Sequence, residues 1–304
     1  MENSAVDVLI CPVCGLEFMD TLPGETALKC IDGHSFDIAR QGYVNLLSGH
    51  GTKFAQDTAD MVAARDDFLD AGHYSQLAEE LAEVVGGVLA ESAPGGHHRP
   101  LILDAGTGTG YYLQRILESL AGGPASDAAG DAGIDSVGLD ISKFALRRAA
   151  RRNLRTANLV WDLWQPLPVE AARADAVLVI FAPRNAAEFA RVLKPRGRLV
   201  VVTPRPGHLA QIARQAGLLG IQPEKEAGLV QAMAGHFQLQ ESRQLTIALN
   251  LSRRDVRNVA LMGPAGHHLD PQELAVMVQD LPPETPAMAE FQISIFSPVV
   301  SPAS

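Results

Sequence analysis

The stretch Leu101-Ile-Leu-Asp-Ala-Gly-Thr-Gly-Thr-Gly110 decides the fold of this 304-residue chain. Its first four residues, of which the first three are apolar, predict a short buried strand, and residues 111–120 predict a helix. Glycine at every second position lets the backbone between strand and helix turn sharply and approach a ligand closely. Exposed N–H groups at the start of a helix favour the anionic end of such a ligand.

An alternation of strands and helices continues after this loop. The pattern predicts strands at 101–104, 135–140, 158–161, 175–182 and 197–203, with helices at 111–120, 142–153 and 185–193. Strands separated by helices indicate a parallel, doubly wound α/β sheet. Segments 242–251 and 291–300 are typical of antiparallel strands that close such a sheet, and 281–286 predicts a Pro-rich loop.

The three cysteines of the chain form a metal-binding pattern near its beginning. Cys11, Cys14 and Cys30 combine with His34 as C-x2-C-x15-C-x3-H, which supplies the four ligands of a tetrahedral Zn²⁺. An odd number of cysteines in a reducing compartment argues against disulfides. A turn at 23–24 predicts a hairpin that brings the two ligand pairs together. Three unconnected buried thiols are the alternative interpretation.

These features divide the chain into three parts. Residues 1–50 are expected to form a zinc-binding module, whose metal supplies folding free energy on the order of 10 kcal/mol in comparable peptides. Residues 51–95 predict a helical connector, with helices at about 55–72 and 74–89. Residues 96–304 are expected to form the catalytic domain, with a linker at 91–100 and a flexible insertion at 121–133.

Composition limits the partners of the protein. No apolar run is long enough to span a membrane, and the first ten residues do not resemble a secretory signal, so we expect a cytoplasmic protein. The formal net charge of −10 argues against nucleic acid. However, six cations fall on one predicted helix face and form a candidate phosphate contact: Lys143, Arg147, Arg148, Arg151, Arg152 and Arg155. A solvated helix face is the alternative.

The glycine-rich loop favours a particular ligand. A dinucleotide fingerprint requires Gly or Ala where Tyr111 stands. Asp104 followed by Gly106, Gly108 and Gly110 instead resembles the S-adenosylmethionine loop of class I methyltransferases, which have a Rossmann-like sheet. Asp140 ends the second predicted strand, where a carboxylate can accept both ribose hydroxyls. A structural turn without a ligand is the alternative.

The order of motifs along the chain resembles one family. The motifs are Cys11-Pro-x-Cys14, Cys30-x-x-Gly-His34-x-Phe-Asp37, Gln41-Gly-Tyr43-Val-Asn45-Leu-Leu47, Met61-x-Ala-Ala-Arg65 and Phe68-Leu-Asp-Ala-Gly-His-Tyr74, followed by the Asp104 loop. Over residues 8–265 they are similar to the bacterial 23S rRNA (guanine-N1)-methyltransferases of the RlmA kind. The segment Leu261-Met-Gly-Pro-Ala265 is closer to the tylosin-resistance branch, and the branch decides which guanine is modified.

The resemblance assigns roles to individual residues. It implies zinc binding by the three cysteines and His34, and S-adenosylmethionine contacts by Tyr74, Gly108, Thr109 and His208. Thr109 departs from the family pattern, which often has an acid at this position. The resemblance also implies that the zinc-binding module at 1–50 recognises RNA and that residues 96–304 form the S-adenosylmethionine-dependent methyltransferase domain. It further implies a 23S rRNA hairpin as substrate, macrolide resistance of the tylosin type, and a homodimer.

The expected reaction is methyl transfer from S-adenosylmethionine to N1 of an unpaired or flipped guanine. Asp162 is a weak candidate for the base that removes the N1 proton, and an adenine contact or a surface acid is the favoured interpretation of this residue. Segment 181–185 lacks the Asp/Asn-Pro-Pro-aromatic motif expected of enzymes that methylate exocyclic amino groups. Its absence agrees with a ring nitrogen as the target. A small-molecule methyltransferase with a structural zinc ribbon and a non-catalytic zinc-ribbon RNA-binding protein are the alternatives.

Overall fold

The computed structural model of the protein describes residues 1–22, 24–47, 54, 56–92, 99–122, 133–215 and 226–299. Pro23 of the predicted turn, residues 93–98 of the predicted linker and residues 123–132 of the predicted insertion lie outside this part of the chain. No helix among the described residues is sufficiently long and apolar to cross a bilayer.

Strands and helices follow one another along the described residues. The strands are β1 (Ala27–Lys29), β2 (Ser35–Asp37), β3 (Tyr43–Asn45), β4 (Leu101–Ala105), β5 (Asp135–Asp140), β6 (Ala157–Val160), β7 (Ala174–Ile180), β8 (Leu193–Pro204), β9 (Phe237–Ser252) and β10 (Glu284–Pro298). The helices are α1 (Asn3–Val6), α2 (Ala59–Asp70), α3 (Ser75–Ser92), α4 (Tyr111–Ala121), α5 (Lys143–Arg152), α6 (Ala186–Val192), α7 (Ala210–Gln215), α8 (Glu226–Met233), α9 (Arg253–Met262) and α10 (Pro271–Gln279). A 3-10 turn, Pro264–His268, connects α9 to α10.

Eight of these strands form one sheet in the order β3-β6-β5-β4-β7-β8-β10-β9. β3 to β8 run parallel, and β10 is antiparallel to both of its neighbours. The predicted parallel sheet and its antiparallel closing strands are therefore confirmed. The chain order of the parallel strands reverses on either side of β4, and ligands of open α/β sheets bind at such a switch point.

One sequence expectation needs correction in the last part of the described chain. The predicted loop at 281–286 is wrong in its second half, because β10 already begins at Glu284. Pro286 is tolerated there because it pairs only with Asn250 of β9, whereas β8 pairs with β10 from Phe291 onward. The missing N–H of this proline therefore removes no hydrogen bond to β8.

Alternating side chains on each strand divide the core between the two faces of the sheet. Ile102 packs with apolar residues of α2, α3, α4, α9 and α10 on one face. Leu101 and Leu103 pack on the other face with residues of α6, α8 and the N-terminal segment. The predicted helical connector thus contributes directly to one core layer.

The N-terminal segment belongs to the second core layer. β3 extends the large sheet by parallel pairing with β6, in the register Tyr43↔Asn158. The buried side chains Leu9, Leu28 and Leu46 share a core with strand residues such as Leu103. Sequence spacing gave no sign of this pairing. Because the two segments share a sheet and a core, we expect them to unfold together.

We predict that Cys30→Ala lowers the melting temperature of the whole chain, by about 10 °C or more, since a metal ligand within the shared core is lost. Differential scanning calorimetry should show a single transition displaced downward. Asp32→Asn is the matched control, because this exposed side chain lies in the same turn. A separate low-temperature transition, with the main transition unchanged, would contradict the coupling.

Candidate metal centre and active site

Two short turns present the four metal-ligand candidates. In the first, the Gly15 N–H donates to the Cys11 carbonyl at 2.8 Å. In the second, the Gly33 N–H donates to the Cys30 carbonyl at 2.9 Å. Both glycines have positive φ, 75° and 85°, a conformation that side chains other than glycine rarely adopt. The predicted hairpin between the turns is confirmed by antiparallel bridging of Phe18 and Cys30.

The four side chains converge on one point. One ligand atom from each of Cys11, Cys14, Cys30 and His34 lies within 4.8 Å of all the others. The Cys14 and Cys30 Sγ atoms are 3.7 Å apart, and Cys30 Sγ is 3.4 Å from His34 Nδ1. Tetrahedral thiolates with Zn–S bonds of about 2.3 Å would be about 3.8 Å apart, so the donor set fits zinc. This geometry leaves no support for three unconnected thiols.

The glycine-rich loop folds back against the ends of neighbouring strands. The backbone N–H groups of Gly106 and Thr107 donate to the Leu139 carbonyl at 2.8 and 2.9 Å, and the Gly108 N–H donates to Asp140 Oδ2 at 2.9 Å. Gly106 has a φ of +89°, and a Cβ placed there would lie 2.3 Å from the Cβ of Ala182. Glycine is therefore required at this position for two independent reasons.

Two carboxylates lie beside the loop. Asp104 is only 2% exposed, and burial raises its pKa to about 7, with a further contribution from Asp140. Burial also raises the pKa of Asp140, whose Oδ1 accepts the Ser142 N–H at 2.8 Å. Adjacent acids with raised pKa values favour a cationic ligand, because a positive charge would stabilise their ionised forms.

Tyr74 and His208 meet on the same side of the sheet although they are distant in sequence. Tyr74 Oη lies 3.3 Å from His208 Nε2, and the Glu290 N–H donates to His208 Nδ1 at 3.1 Å. Burial lowers the pKa of His208 to about 4, so its imidazole is neutral near pH 7. The Phe291 ring packs 4.9 Å from both rings, measured between centroids.

The side chain of Thr109 is also consistent with a ligand contact. Its Oγ1 is buried and has no hydrogen-bond partner among the described residues. A buried hydroxyl in this state is costly unless a ligand satisfies it. The loop glycines, Thr109 and the two acids thus occur together. The Tyr74–His208 pair lies at the same edge of the sheet, where the carboxyl ends of the parallel strands meet.

Sequence reasoning missed several residues at this edge. Arg65 pairs with Asp57 at 2.6 Å and donates to the Met262 carbonyl at 2.7 Å, while its Nη1 lies within 4.0 Å of a Cβ placed on Gly108. Tyr112 has a buried Oη without a partner among the described residues. The sequence signal for Arg65 was its place at the end of the motif Met61-x-Ala-Ala-Arg65.

Asp162 and the basic helix are less simply arranged than the sequence indicated. Asp162 is buried after β6, and its Oδ1 accepts the Trp164 N–H at 3.0 Å.

In α5 and just beyond it, three of the six cations are paired: Arg148 and Arg152 with Asp66, and Arg155 with Glu2. Lys143, Arg147 and Arg151 are exposed. The candidate phosphate contact therefore consists of these three exposed cations instead of the six that were predicted.

The sheet order and the site together define a class I S-adenosylmethionine-dependent methyltransferase that carries an N-terminal zinc ribbon. A model of the RlmA N-terminal zinc ribbon matches residues 9–50. A 23S rRNA (guanine(748)-N(1))-methyltransferase of Streptomyces fradiae is 41% identical over 282 residues, covering 93% of this chain and 94% of that protein.

A second relative, from Micromonospora griseorubida, also takes its name from 23S rRNA (guanine-N1) methylation. It is 38% identical over 308 residues, covering 98% of this chain and 100% of that protein. The chain belongs to the family of 23S rRNA (guanine-N1)-methyltransferases. This confirms the family resemblance on which the sequence interpretation relied.

We predict that Gly106→Ala destabilises the protein by about 3 kcal/mol or more, because it combines an unfavourable positive φ with a steric clash. Gly235→Ala is the matched control: its φ of +91° is nearly the same, but nothing lies within 4 Å of its Cβ. This control should cost only about 1–2 kcal/mol. Urea unfolding measures both values, and equal losses would show that the contact with Ala182 has no effect.

Proposed function

We propose that this enzyme transfers a methyl group from S-adenosylmethionine to N1 of a guanine in a 23S rRNA hairpin. The observation that carries the proposal is the union, in one sheet and one core, of a four-ligand zinc ribbon with a glycine-rich donor site. Family membership supports the same activity. The rival interpretations, a small-molecule methyltransferase and a non-catalytic RNA-binding protein, lack support from these relatives.

We assign donor binding to the residues around the glycine-rich loop. In this proposal, Asp140 accepts the ribose hydroxyls, and the backbone of Gly106, Gly108 and Gly110 lies against the donor. Asp104, Thr109, Tyr74 and His208 complete the donor site. Two buried acids beside a neutral imidazole suit a ligand whose reactive centre is positive, because no protein cation from His208 opposes it.

The chemistry follows from a sulfonium donor, which supplies an electrophilic methyl group. The guanine N1 forms the new C–N bond with its lone pair, while the electrons of the broken C–S bond remain on sulfur. The N1 proton must leave, and we retain Asp162 as the candidate base. The chain contributes by holding the two reactants in line and close together, which alone can account for much of the rate.

We further propose that the target is the guanine equivalent to the one named for the S. fradiae relative, and that its methylation gives tylosin-type macrolide resistance. The motif at 261–265, which places the chain in that branch, supports this assignment. The Met262 carbonyl of this motif accepts a hydrogen bond from Arg65 beside the glycine-rich loop. A ribosomal substrate supports a cytoplasmic location, and the family resemblance supports a homodimer.

The first test of this function is primer extension on 23S rRNA from cells with and without the gene. An N1-methyl group occupies the pairing edge of guanine, so we expect a gene-dependent stop of reverse transcriptase next to the modified base. An Asp140→Asn variant, expressed at parental levels, should give a much weaker stop. Absence of any gene-dependent stop would remove the rRNA assignment.

A second prediction concerns the pH dependence of donor binding. Asp104 has a raised pKa of about 7, so below that pH it carries a proton that must leave before the carboxylate can stabilise a cationic donor. We expect the dissociation constant for S-adenosylmethionine, measured by calorimetry, to be about tenfold higher at pH 6 than at pH 8.

Asp104→Asn is the control for this measurement, because it retains the shape of the side chain and removes the titration. This variant should bind the donor more weakly, with only the pH dependence that the donor itself contributes. If the variant and the parent show the same dependence, Asp104 does not face the donor.

A further inference from the structure

Three of the four largely exposed aromatic side chains among the described residues occur at one edge of the sheet. The four are Phe54, Phe144, Trp164 and Phe181. Phe144, Trp164 and Phe181 come within four residues after β5, β6 and β7, respectively, and those three strands are parallel. The carboxyl ends of parallel strands meet at the same edge, which is also the edge that carries the glycine-rich loop.

Two of these aromatic residues are the sequence neighbours of residues that lie against the glycine-rich loop. A Cβ on Gly106 would lie 2.3 Å from Ala182 Cβ and 4.0 Å from Leu163 Cδ1. Phe181 precedes Ala182 and Trp164 follows Leu163 in the sequence. The two loops are joined by a hydrogen bond in which Asn185 Nδ2 donates to the Leu163 carbonyl at 2.9 Å. Both aromatic residues therefore lie on linked loops beside the donor site.

Phe181 is fixed in an unusual conformation. Its φ is +55°, a value that costs a residue other than glycine about 1 kcal/mol or more and persists only where surrounding structure imposes it. Its ring packs against Phe291 and Tyr112, with centroids 5.7 and 6.4 Å away, yet the side chain remains 46% exposed. One part of the ring is thus supported, and another part is available to a ligand.

Trp164 is 53% exposed, and its backbone is held by the hydrogen bond to Asp162. On the neighbouring α5, the Arg147 guanidinium lies 5.4 Å from the centroid of the exposed Phe144 ring. Lys143 is exposed on the same helix. Exposed aromatic rings combined with cations form the surface that binds unpaired nucleic acid, through base stacking and phosphate contacts.

We propose that Phe181 and Trp164 are base-stacking residues that hold unpaired nucleotides of the RNA at the mouth of the donor site. Phe181, which lies closer to the Tyr74–His208 pair through Phe291, stacks on the guanine to be methylated. Trp164 stacks on an adjacent unpaired base. This inference rests on the proposed function, since N1 of a paired guanine is inaccessible and the base must leave its helix before reaction.

The test is steady-state methylation of a synthetic 23S rRNA hairpin by four variants, with donor affinity measured separately by calorimetry. Trp164→Leu should raise the KM for the hairpin about tenfold or more, with little change in kcat or donor affinity. Phe181→Leu should lower kcat at least tenfold, and Phe181→Tyr should restore it, because a tyrosine ring still stacks. Leu154→Ala is the control, since Leu154 is 71% exposed beyond the far end of α5.

Parental KM and kcat in both leucine variants would overturn the inference. It would also be overturned if Phe181→Leu lost donor affinity in proportion to its loss of kcat, since Phe181 would then act only by packing around the donor. Thermal melting of each variant separates these results from misfolding. Failure of the parental enzyme to methylate the hairpin is a different outcome, because it contradicts the proposed function itself.

Discussion

The parallel pairing of β3 with β6 is the interaction on which the arrangement of this enzyme depends. Through that pairing, a segment held by four metal ligands becomes the edge strand of the catalytic sheet. Leu46, directly after β3, is fully buried in the shared core. The zinc ribbon therefore has a fixed position relative to the donor site, and a substrate held by the ribbon would meet the methyl donor in a defined geometry.

Electrostatics within the site suit a cationic donor. Asp104 and Asp140 are held in a buried environment that raises their pKa values, whereas the pKa of His208 is lowered by its burial. Without a ligand, this arrangement is unfavourable, because burial penalises the ionised forms of both acids and the Thr109 hydroxyl has no hydrogen-bond partner among the described residues. In the proposed donor site, binding of a cationic ligand would relieve both costs and would gain free energy from groups that the fold already holds in place.

Patterns within short segments of the sequence were sufficient to predict the sheet and the metal ligands. The loop at 104–110, the strand 135–140 and the four zinc ligands are each encoded within short segments, and the structure places them as expected. Contacts between distant segments were not visible. The β3–β6 pairing, the bond from Arg65 to Met262 and the positive φ of Phe181 each depend on residues far apart in the chain. The pairing of Arg148 and Arg152 with Asp66, and of Arg155 with Glu2, likewise halved the basic surface that periodicity had indicated.

The pairing of these arginines with acidic residues affects how strongly the enzyme binds RNA of any sequence. With about three exposed cations on α5 and a formal charge of −10, few counterions would be released when the protein meets RNA. Three phosphate contacts correspond to a slope of about −2 to −3 in log affinity against log salt concentration. Such a protein is weakly retained by bulk nucleic acid and dissociates readily from wrong sequences. Under the proposed function, its selectivity would then depend on RNA shape and base stacking instead of general attraction to polyanions.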